Sequence, residues 1–163
     1  MNIDTMTHAV VPRRFLFLGV DMRILLSTAE SGDQFSLVEG IMPPGGDGGL
    51  HVHAFEDETM HLLEGDLAVT IGDASFELRA GETYFAPRNV PHRLRNLSNR
   101  PARGLLVTTP GGFDRFVEQA GLALADDASL PIGAPPTASG LERLIRLAKD
   151  FGITILAPPT APT

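Results

Sequence analysis

Turn-forming residues divide this chain into short segments, and their spacing constrains the fold more than any other feature. The 163 residues include 17 glycines and 13 prolines, several of them clustered at residues 43–49, 64–65, 72–73 and 80–81. Glycine adopts left-handed turns readily, and proline removes a backbone hydrogen-bond donor, so long helices and long strands do not fit between these clusters. The spacing predicts an all-β fold of short strands, arranged as a sandwich or a barrel.

The apolar runs between these turns define the predicted elements. Strands are predicted at residues 23–26, 34–41, 50–53, 59–63, 66–71, 75–78, 83–86, 92–97 and 105–109. After residue 112 the apolar period lengthens to three and four, which predicts a short helix ending at Gly121 and a second helix from Ser139 to Gly152. The predicted organisation is an N-terminal extension (1–21), a barrel with a short helix (22–121), a loop and C-terminal helix (122–156), and a flexible tail (157–163).

Charge and composition exclude several classes of function. Thirteen Lys and Arg against twenty Asp and Glu give a net charge of −7, which disfavours nucleic acid and anionic membranes as partners. The absence of cysteine excludes disulfides, thiol nucleophiles and thiolate-bound metals. No apolar run has the length of a membrane span, and residues 1–8 lack the features of a signal peptide, so we expect a cytoplasmic protein.

Three histidines and a glutamate form the most informative pattern. His51 and His53 are two residues apart on a predicted strand, so their side chains leave the same face about 6.6 Å apart. Glu58 follows after a polar stretch that can form a bulge or turn, and His92 lies on a later strand, so all four side chains can enter one barrel interior. Nitrogen and oxygen donors of this kind suit one divalent first-row transition metal, and Fe, Mn, Ni, Co, Cu and Zn all fit.

The same residues resemble the two sequence motifs of the cupins. At the intervals of the first motif stand Gly45, His51, His53, Glu58 and Gly65. At the intervals of the second stand Gly81, Pro87, Asn89, His92 and Asn96, with Asn89 in place of the family's glycine. Asparagine tolerates the left-handed conformation better than other non-glycine residues, so this departure is compatible with a tight turn.

The resemblance implies a double-stranded β-helix, that is, a jelly-roll cupin barrel, here with C-terminal helices. It also implies a homodimer, with the metal held by His51, His53, Glu58 and His92. The segment 53–91 and the residues 110–113 look like single-domain cupins of the quercetin dioxygenase-like group. That likeness favours an oxidoreductase, a dioxygenase acting on a small enolic or aromatic hydroxyl compound, with Glu58 as the group that takes the substrate proton.

Two alternatives stay open on the sequence. The first is a non-oxidative metal-dependent isomerase, cyclase or lyase, in which the metal polarises a carbonyl. The second is a non-enzymatic module that binds a metal or a small ligand. Fold analogy does not decide among them.

Several neighbours of the four residues have predicted roles of their own. Met60, Leu62 and Leu94 are in phase with the ligands, so they are expected in the barrel core, where they could also form an apolar pocket wall. Asn96 is a candidate partner for a ligand's second nitrogen, or alternatively a turn-fixing residue. Strand alternation turns His61 to the barrel exterior, and it sends Arg93 and Arg95 outward when His92 points inward.

Overall fold

The computed structural model describes residues 9–129 and 138–160. The strands are β1 (Arg13–Phe17), β2 (Val20–Leu26), β3 (Ser36–Met42), β4 (Leu50–His53), β5 (Asp57–Glu64), β6 (Asp66–Ile71), β7 (Ala74–Arg79), β8 (Thr83–Ala86), β9 (His92–Arg95), β10 (Ala102–Thr109), β11 (Leu122–Leu124) and β12 (Ile153–Ala157). The helices are α1 (Phe113–Ala120) and α2 (Ala138–Asp150).

These strands form two antiparallel sheets. One sheet has the order β11-β1-β2-β3-β10-β5-β8, and the other has the order β12-β4-β9-β6-β7. From β3 to β10 the strands alternate between the sheets, except that β6 and β7 form a hairpin within the second sheet. This arrangement is that of a double-stranded β-helix. The prediction of an all-β jelly-roll barrel with C-terminal helices is confirmed.

Tight turns lie where the sequence predicts them. Gly65 and Gly81 have φ values of 81° and 89°, in the left-handed region that glycine adopts without strain. A side chain at Gly65 would also lie 2.8 Å from the carbonyl oxygen of Pro101. Asn89 has a φ of 65°, so it serves at a turn where only glycine and a few polar residues are well tolerated.

Two apolar clusters form the core. The first joins the large sheet to both helices, and its aromatic centre is Phe17, Phe113 and Phe116, with the Phe17 ring edge-on to the other two. The second lies between the two sheets and includes Leu62, Leu67, Leu78, Leu94 and Tyr84. The cavity described below lies where the two clusters meet, because residues of both line it.

The N-terminal residues contribute more strand than the sequence analysis predicts. Within the predicted extension 1–21, β1 pairs with β2 and with β11, so Phe15 lies opposite Met22 on one side and Ala123 on the other. Residues 1–8 lie outside the described part. The partner β11 is more than a hundred residues away along the chain, so no local pattern reports this pairing.

The C-terminal residues also differ from their prediction. Within the segment 122–156, expected as loop and helix, the structure adds β11 and β12, and β12 continues to Ala157 in the predicted tail. Beyond it, Thr160 donates its backbone N–H and its hydroxyl to the buried Asp47 carboxylate. Pairing with β4 ends at Ala157. Residues 130–137 and 161–163 lie outside the described part.

Across residues 9–129 and 138–160, neither helix has the length and apolar character needed to cross a lipid bilayer.

Candidate metal centre

The two sheets bring three histidines and one glutamate together inside the barrel. His51 and His53 lie on β4, and His51 is paired with His92 on the neighbouring strand β9. Glu58 lies on β5 of the opposite sheet. Each of the four residues offers one ligand atom, and these atoms all lie within 4.8 Å of one another. The predicted constellation therefore assembles.

The distances show convergence on one point. The ring centroids of His51 and His92 are 4.4 Å apart, and the His53 ring lies 5.1 Å from His51 and 5.4 Å from His92. Glu58 Oε2 lies 3.5 Å from His92 Nε2 and 3.7 Å from His53 Nε2. These separations exceed hydrogen-bonding distance for Nε2, and they leave room for an ion between the donors.

The hydrogen bonds of the rings test whether the residues suit a metal. The Nδ1 atoms of His51, His53 and His92 bond to Gly49 O (3.0 Å), Glu56 Oε2 (2.8 Å) and Val90 O (3.2 Å), respectively. The Nε2 atoms of His53 and His92 are buried and have no hydrogen-bond partner within the described residues. Buried polar atoms are normally satisfied, and a divalent ion satisfies both nitrogens at once. The nitrogen and oxygen donor set fits such an ion.

Electrostatics set the protonation of the site. Burial, together with repulsion from His92 and His53, lowers the pKa of His51 to about 4. Burial opposes a charge on His92, but the Glu58 carboxylate outweighs it and raises the pKa of His92 above its usual value. Burial likewise opposes a charge on Glu58, but the histidines lower the pKa of that carboxyl well below its ordinary range. At neutral pH, Glu58 is therefore ionised and His51 is neutral.

Tyr84 is a site residue that the sequence analysis did not identify. It lies on β8, beside β5, and its hydroxyl donates a hydrogen bond to Glu58 Oε1. Burial and the Glu58 carboxylate raise the pKa of Tyr84 well above 10, so it stays a donor. Residues 83–86 alternate between exposed and buried in the structure, but their sequence, Thr-Tyr-Phe-Ala, has no polar–apolar alternation that could have placed Tyr84 inside.

An apolar cavity of about 100 Å³ opens onto the site. Met60 and Leu94 line it, and so do Phe113, Phe116 and Ile155. His51 and Glu58 supply the charged or titratable groups of this lining within the described residues. The walls therefore suit an apolar molecule with a polar end.

Leu62 is not among the residues that line this cavity. Its side chain is completely buried, and it packs in the second core cluster with Leu67 and Leu78. Strand alternation places it on the same face as Glu58 and Met60, as expected. Its neighbour Leu67 in that cluster does line the cavity.

Asn96 also has a different role from the predicted contact with a ligand. Its side-chain nitrogen donates to the carbonyl oxygens of Met42 (3.0 Å) and Arg100 (2.7 Å), and its oxygen accepts from the Ser98 backbone (3.0 Å) and hydroxyl (2.8 Å). The alternative role, fixing the turn, is the one observed. The histidines use Gly49, Glu56 and Val90 instead, and Glu56 was not singled out from the sequence.

The remaining polar candidates lie outside the ligand cluster. His61 faces away from the cavity, and its Nδ1 shares a 2.8 Å hydrogen bond with the Thr83 hydroxyl. Arg88, in the turn before β9, forms a 2.9 Å ion pair with Asp57. Arg93 points away from His92 as predicted, but it pairs with the buried Asp47 and does not extend freely into solvent.

The fold and the site together define a cupin-type barrel with a three-histidine, one-glutamate centre, and comparison with known proteins agrees. Residues 38–108 match the family model of the cupin domain. A predicted oxalate decarboxylase from Thermotoga maritima superposes with a TM-score of 0.56 and 25% identity, covering 62% of this chain and 93% of that one.

Curated relatives are similar in sequence over the central region. The uncharacterized protein MJ1618 of Methanocaldococcus jannaschii is 34% identical over 79 residues, which are 48% of this chain and 63% of that protein. The tetracenomycin polyketide synthase protein TcmJ of Streptomyces glaucescens is 31% identical over 93 residues, 56% of this chain and 62% of that protein. The chain thus spans less than two thirds of the length of these relatives.

Proposed function

We propose that this chain is a metal-dependent dioxygenase of the quercetin dioxygenase-like type, acting on a small molecule with an enol or aromatic hydroxyl group. The observation that carries the proposal is the convergence of His51, His53, Glu58 and His92 at the polar end of an otherwise apolar cavity. Such a cavity favours a flat organic molecule that presents one oxygen-rich edge to the four residues. The name of the TcmJ relative, a polyketide synthase protein, supports this substrate class.

The four residues would hold one divalent first-row ion. When bound there, the ion supplies Lewis acidity to a substrate oxygen and, if it is redox-active, a route for electrons between substrate and dioxygen. Its identity among Fe, Mn, Ni, Co, Cu and Zn depends on availability as well as on the donor set.

Glu58 is the residue that receives the substrate proton in this proposal. It lines the cavity, and it is held ionised by the surrounding histidines. Tyr84 fixes Oε1 by donating a hydrogen bond, which leaves Oε2 directed to the histidine side. A substrate hydroxyl that enters between His51 and Glu58 can therefore transfer its proton to a carboxylate of fixed orientation.

The apolar walls orient the substrate and exclude water. Met60 and Leu94 flank the ligand residues from the two sheets, and Phe113 closes the cavity from α1. Ile155 on β12 adds a wall beside His51, to which it is paired in the sheet. Excluding water strengthens the interaction of Glu58 with the bound molecule, because the local dielectric falls.

A non-oxidative isomerase, cyclase or lyase is the second candidate. It is favoured by the name of the same relative, a polyketide synthase protein. Polyketides carry alternating carbonyl groups, so they can enolise and form new bonds without dioxygen. Glu58 would again take the proton, and the ion would polarise a carbonyl. A non-enzymatic module that binds a metal or small ligand is the third.

An oxygen-uptake experiment separates these functions. The protein is loaded in turn with Fe²⁺, Mn²⁺, Ni²⁺, Co²⁺, Cu²⁺ and Zn²⁺, and it is tested with flavonols and cyclic 1,3-diketones in an oxygen electrode and under strict anaerobiosis. We expect oxygen uptake equal to substrate loss, its abolition in Glu58→Gln, and its retention in His61→Gln on the barrel exterior. Unchanged turnover without oxygen rejects the dioxygenase in favour of the second candidate, and binding without turnover favours the third.

We also propose that the protein is a cytoplasmic homodimer whose partner in chemistry is a small molecule, with no role for nucleic acid or membranes. Phe85 on the edge strand β8 is 57% exposed, and Phe76 on the edge strand β7 is 41% exposed, which supports an apolar contact between copies. Sedimentation analysis tests the dimer, and fractionation of cells tests the location.

A further inference from the structure

We infer that Glu56 is a positioning residue for the metal centre, because its carboxylate fixes the His53 ring and strengthens that ring as a ligand. The inference rests on the proposed metal site. It concerns a residue that is not itself a ligand, and that neither the cavity nor the two sequence motifs point to.

The contact is a buried hydrogen bond between a carboxylate and an imidazole. Glu56 Oε2 lies 2.8 Å from His53 Nδ1, and the two side chains are 4% and 1% exposed. A carboxylate can only accept at this contact, so Nδ1 carries the hydrogen and Nε2 presents its lone pair. That Nε2 is the buried atom that lies 3.7 Å from Glu58 Oε2 and has no hydrogen-bond partner among the described residues.

His53 differs from the other two histidines in the group that accepts the hydrogen bond of its Nδ1. The Nδ1 atoms of His51 and His92 bond to the neutral carbonyl oxygens of Gly49 and Val90 at 3.0 Å and 3.2 Å. A charged acceptor makes a shorter and stronger bond than a neutral one, and it increases the electron density of the ring. The observed distances follow that order, and His53 becomes the ligand with the most strongly anchored ring.

The start of α1 is shaped around this carboxylate. Oε1 of Glu56 is buried without a hydrogen-bond partner within the described residues, and it lies against Gly112, the residue before Phe113. A Cβ atom at Gly112 would lie 2.6 Å from that oxygen. A larger residue at position 112 would therefore push against this carboxylate and shift it.

Metal affinity measured on two variants tests the inference. Glu56→Gln removes the charge at nearly constant size, and Gly112→Ala keeps the charge but displaces the carboxylate. Loss of a carboxylate that orients a histidine ligand typically weakens metal binding by about 10- to 100-fold. We expect a loss of that size for Zn²⁺ or Co²⁺ in both variants, measured by competition with a chromophoric chelator. We also expect the thermal midpoint of the metal-free protein to be unchanged or raised in Glu56→Gln.

Asp57→Asn is the matched control. Asp57 is the next residue in the chain, but it pairs with the exposed Arg88 and contacts no histidine among the described residues. Its substitution should change the metal affinity less than about twofold. A long-range proton–nitrogen NMR spectrum of the metal-free protein supplies an independent readout, with the His53 hydrogen on Nδ1 in the wild type and redistributed in Glu56→Ala.

The outcomes are separable from those of the proposed function. A wild type that binds metal tightly, with Glu56→Gln of equal affinity, overturns the inference and leaves the metal site intact. A lowered thermal midpoint without loss of affinity assigns Glu56 a structural role and overturns it as well. A wild type that binds none of the first-row ions overturns the inference and the proposed function together.

Discussion

The Tyr84 hydroxyl donates a hydrogen bond to Glu58 Oε1 across the neighbouring strands β8 and β5. Both side chains are buried, so this contact satisfies the glutamate oxygen that faces away from the histidines. Tyr84 also packs in the second core cluster. The pair therefore connects the candidate metal centre directly to the barrel core.

Tyr84→Phe should destabilise the metal-free protein by about 1–3 kcal/mol, because it leaves a buried carboxylate oxygen without its donor. Urea denaturation at pH 7 measures the change in the free energy of unfolding. Thr83→Val, on the same strand as Tyr84, is the control, since it removes an exposed hydrogen bond to His61 on β5. It should cost less than about 0.5 kcal/mol. Equal stability of Tyr84→Phe and the wild type would contradict the prediction.

Metal binding should stabilise the fold, because the four donors assemble only in the folded chain. A free ion concentration of about one hundred times Kd contributes about 2.7 kcal/mol. For a domain of this size that corresponds to a rise of about 5–11 °C in Tm. Thermal scans with Zn²⁺ should show the rise in the wild type and in His61→Ala, and EDTA should reverse it. The rise should be absent in His92→Ala; its persistence there would place the ion elsewhere.

The stability of the metal-free protein should fall as the pH is lowered from 6.5 towards 4. The pKa of His51 is lowered to about 4 in the folded state, so across this window the unfolded chain binds a proton that the folded chain does not. The resulting slope is at most about 1.4 kcal/mol per pH unit. Denaturation at pH 7, 6 and 5 should show a shallower slope for His51→Gln than for the wild type. Equal slopes for the wild type and His51→Gln would contradict the lowered pKa of His51.

Glu58 and His92 change the stability of the metal-free protein in other pH ranges. Glu58, with a lowered pKa, contributes stability that is present above about 4.5 and is lost as the pH falls below that value. His92, with a raised pKa, contributes stability that is present below about 6.5 and is lost as the pH rises through its folded-state pKa. The comparison of His51→Gln with the wild type isolates His51 between these two effects.

Asn96→Ala should destabilise the fold by about 1–3 kcal/mol and leave the metal affinity unchanged. The substitution removes the donor for two carbonyl oxygens, those of Met42 and Arg100. Chemical denaturation and a Zn²⁺ titration of the same sample measure both quantities. Ser98→Ala, which loses only the hydroxyl contacts of this turn, should cost less. A tenfold loss of Zn²⁺ affinity in Asn96→Ala would restore a role in supporting the ligands.

The sequence determined the features that depend on local covalent geometry. Because side chains alternate along a strand, His51 and His53 lie on the same face of their strand. For the same reason Glu58 and Met60 lie on one face of the next strand, and His61 lies on its opposite face. Glycine at positions 65 and 81 determined where tight turns lie, because few other residues adopt a positive φ without strain. These rules act over a few residues, so they can be applied before any tertiary contact is known.

Tertiary structure alone decided which distant groups meet. The pairing of β12 with the histidine strand, the bond from Tyr84 to Glu58, and the helix start that confines Glu56 all join segments whose separation along the chain carries no local signal. Contact with the cavity was decided in the same way, so Met60 lines the cavity while Leu62, two residues on, is fully buried in the second core cluster. The physical reason is that side-chain packing between the sheets, and not the phase of a strand, determines where the interior space ends.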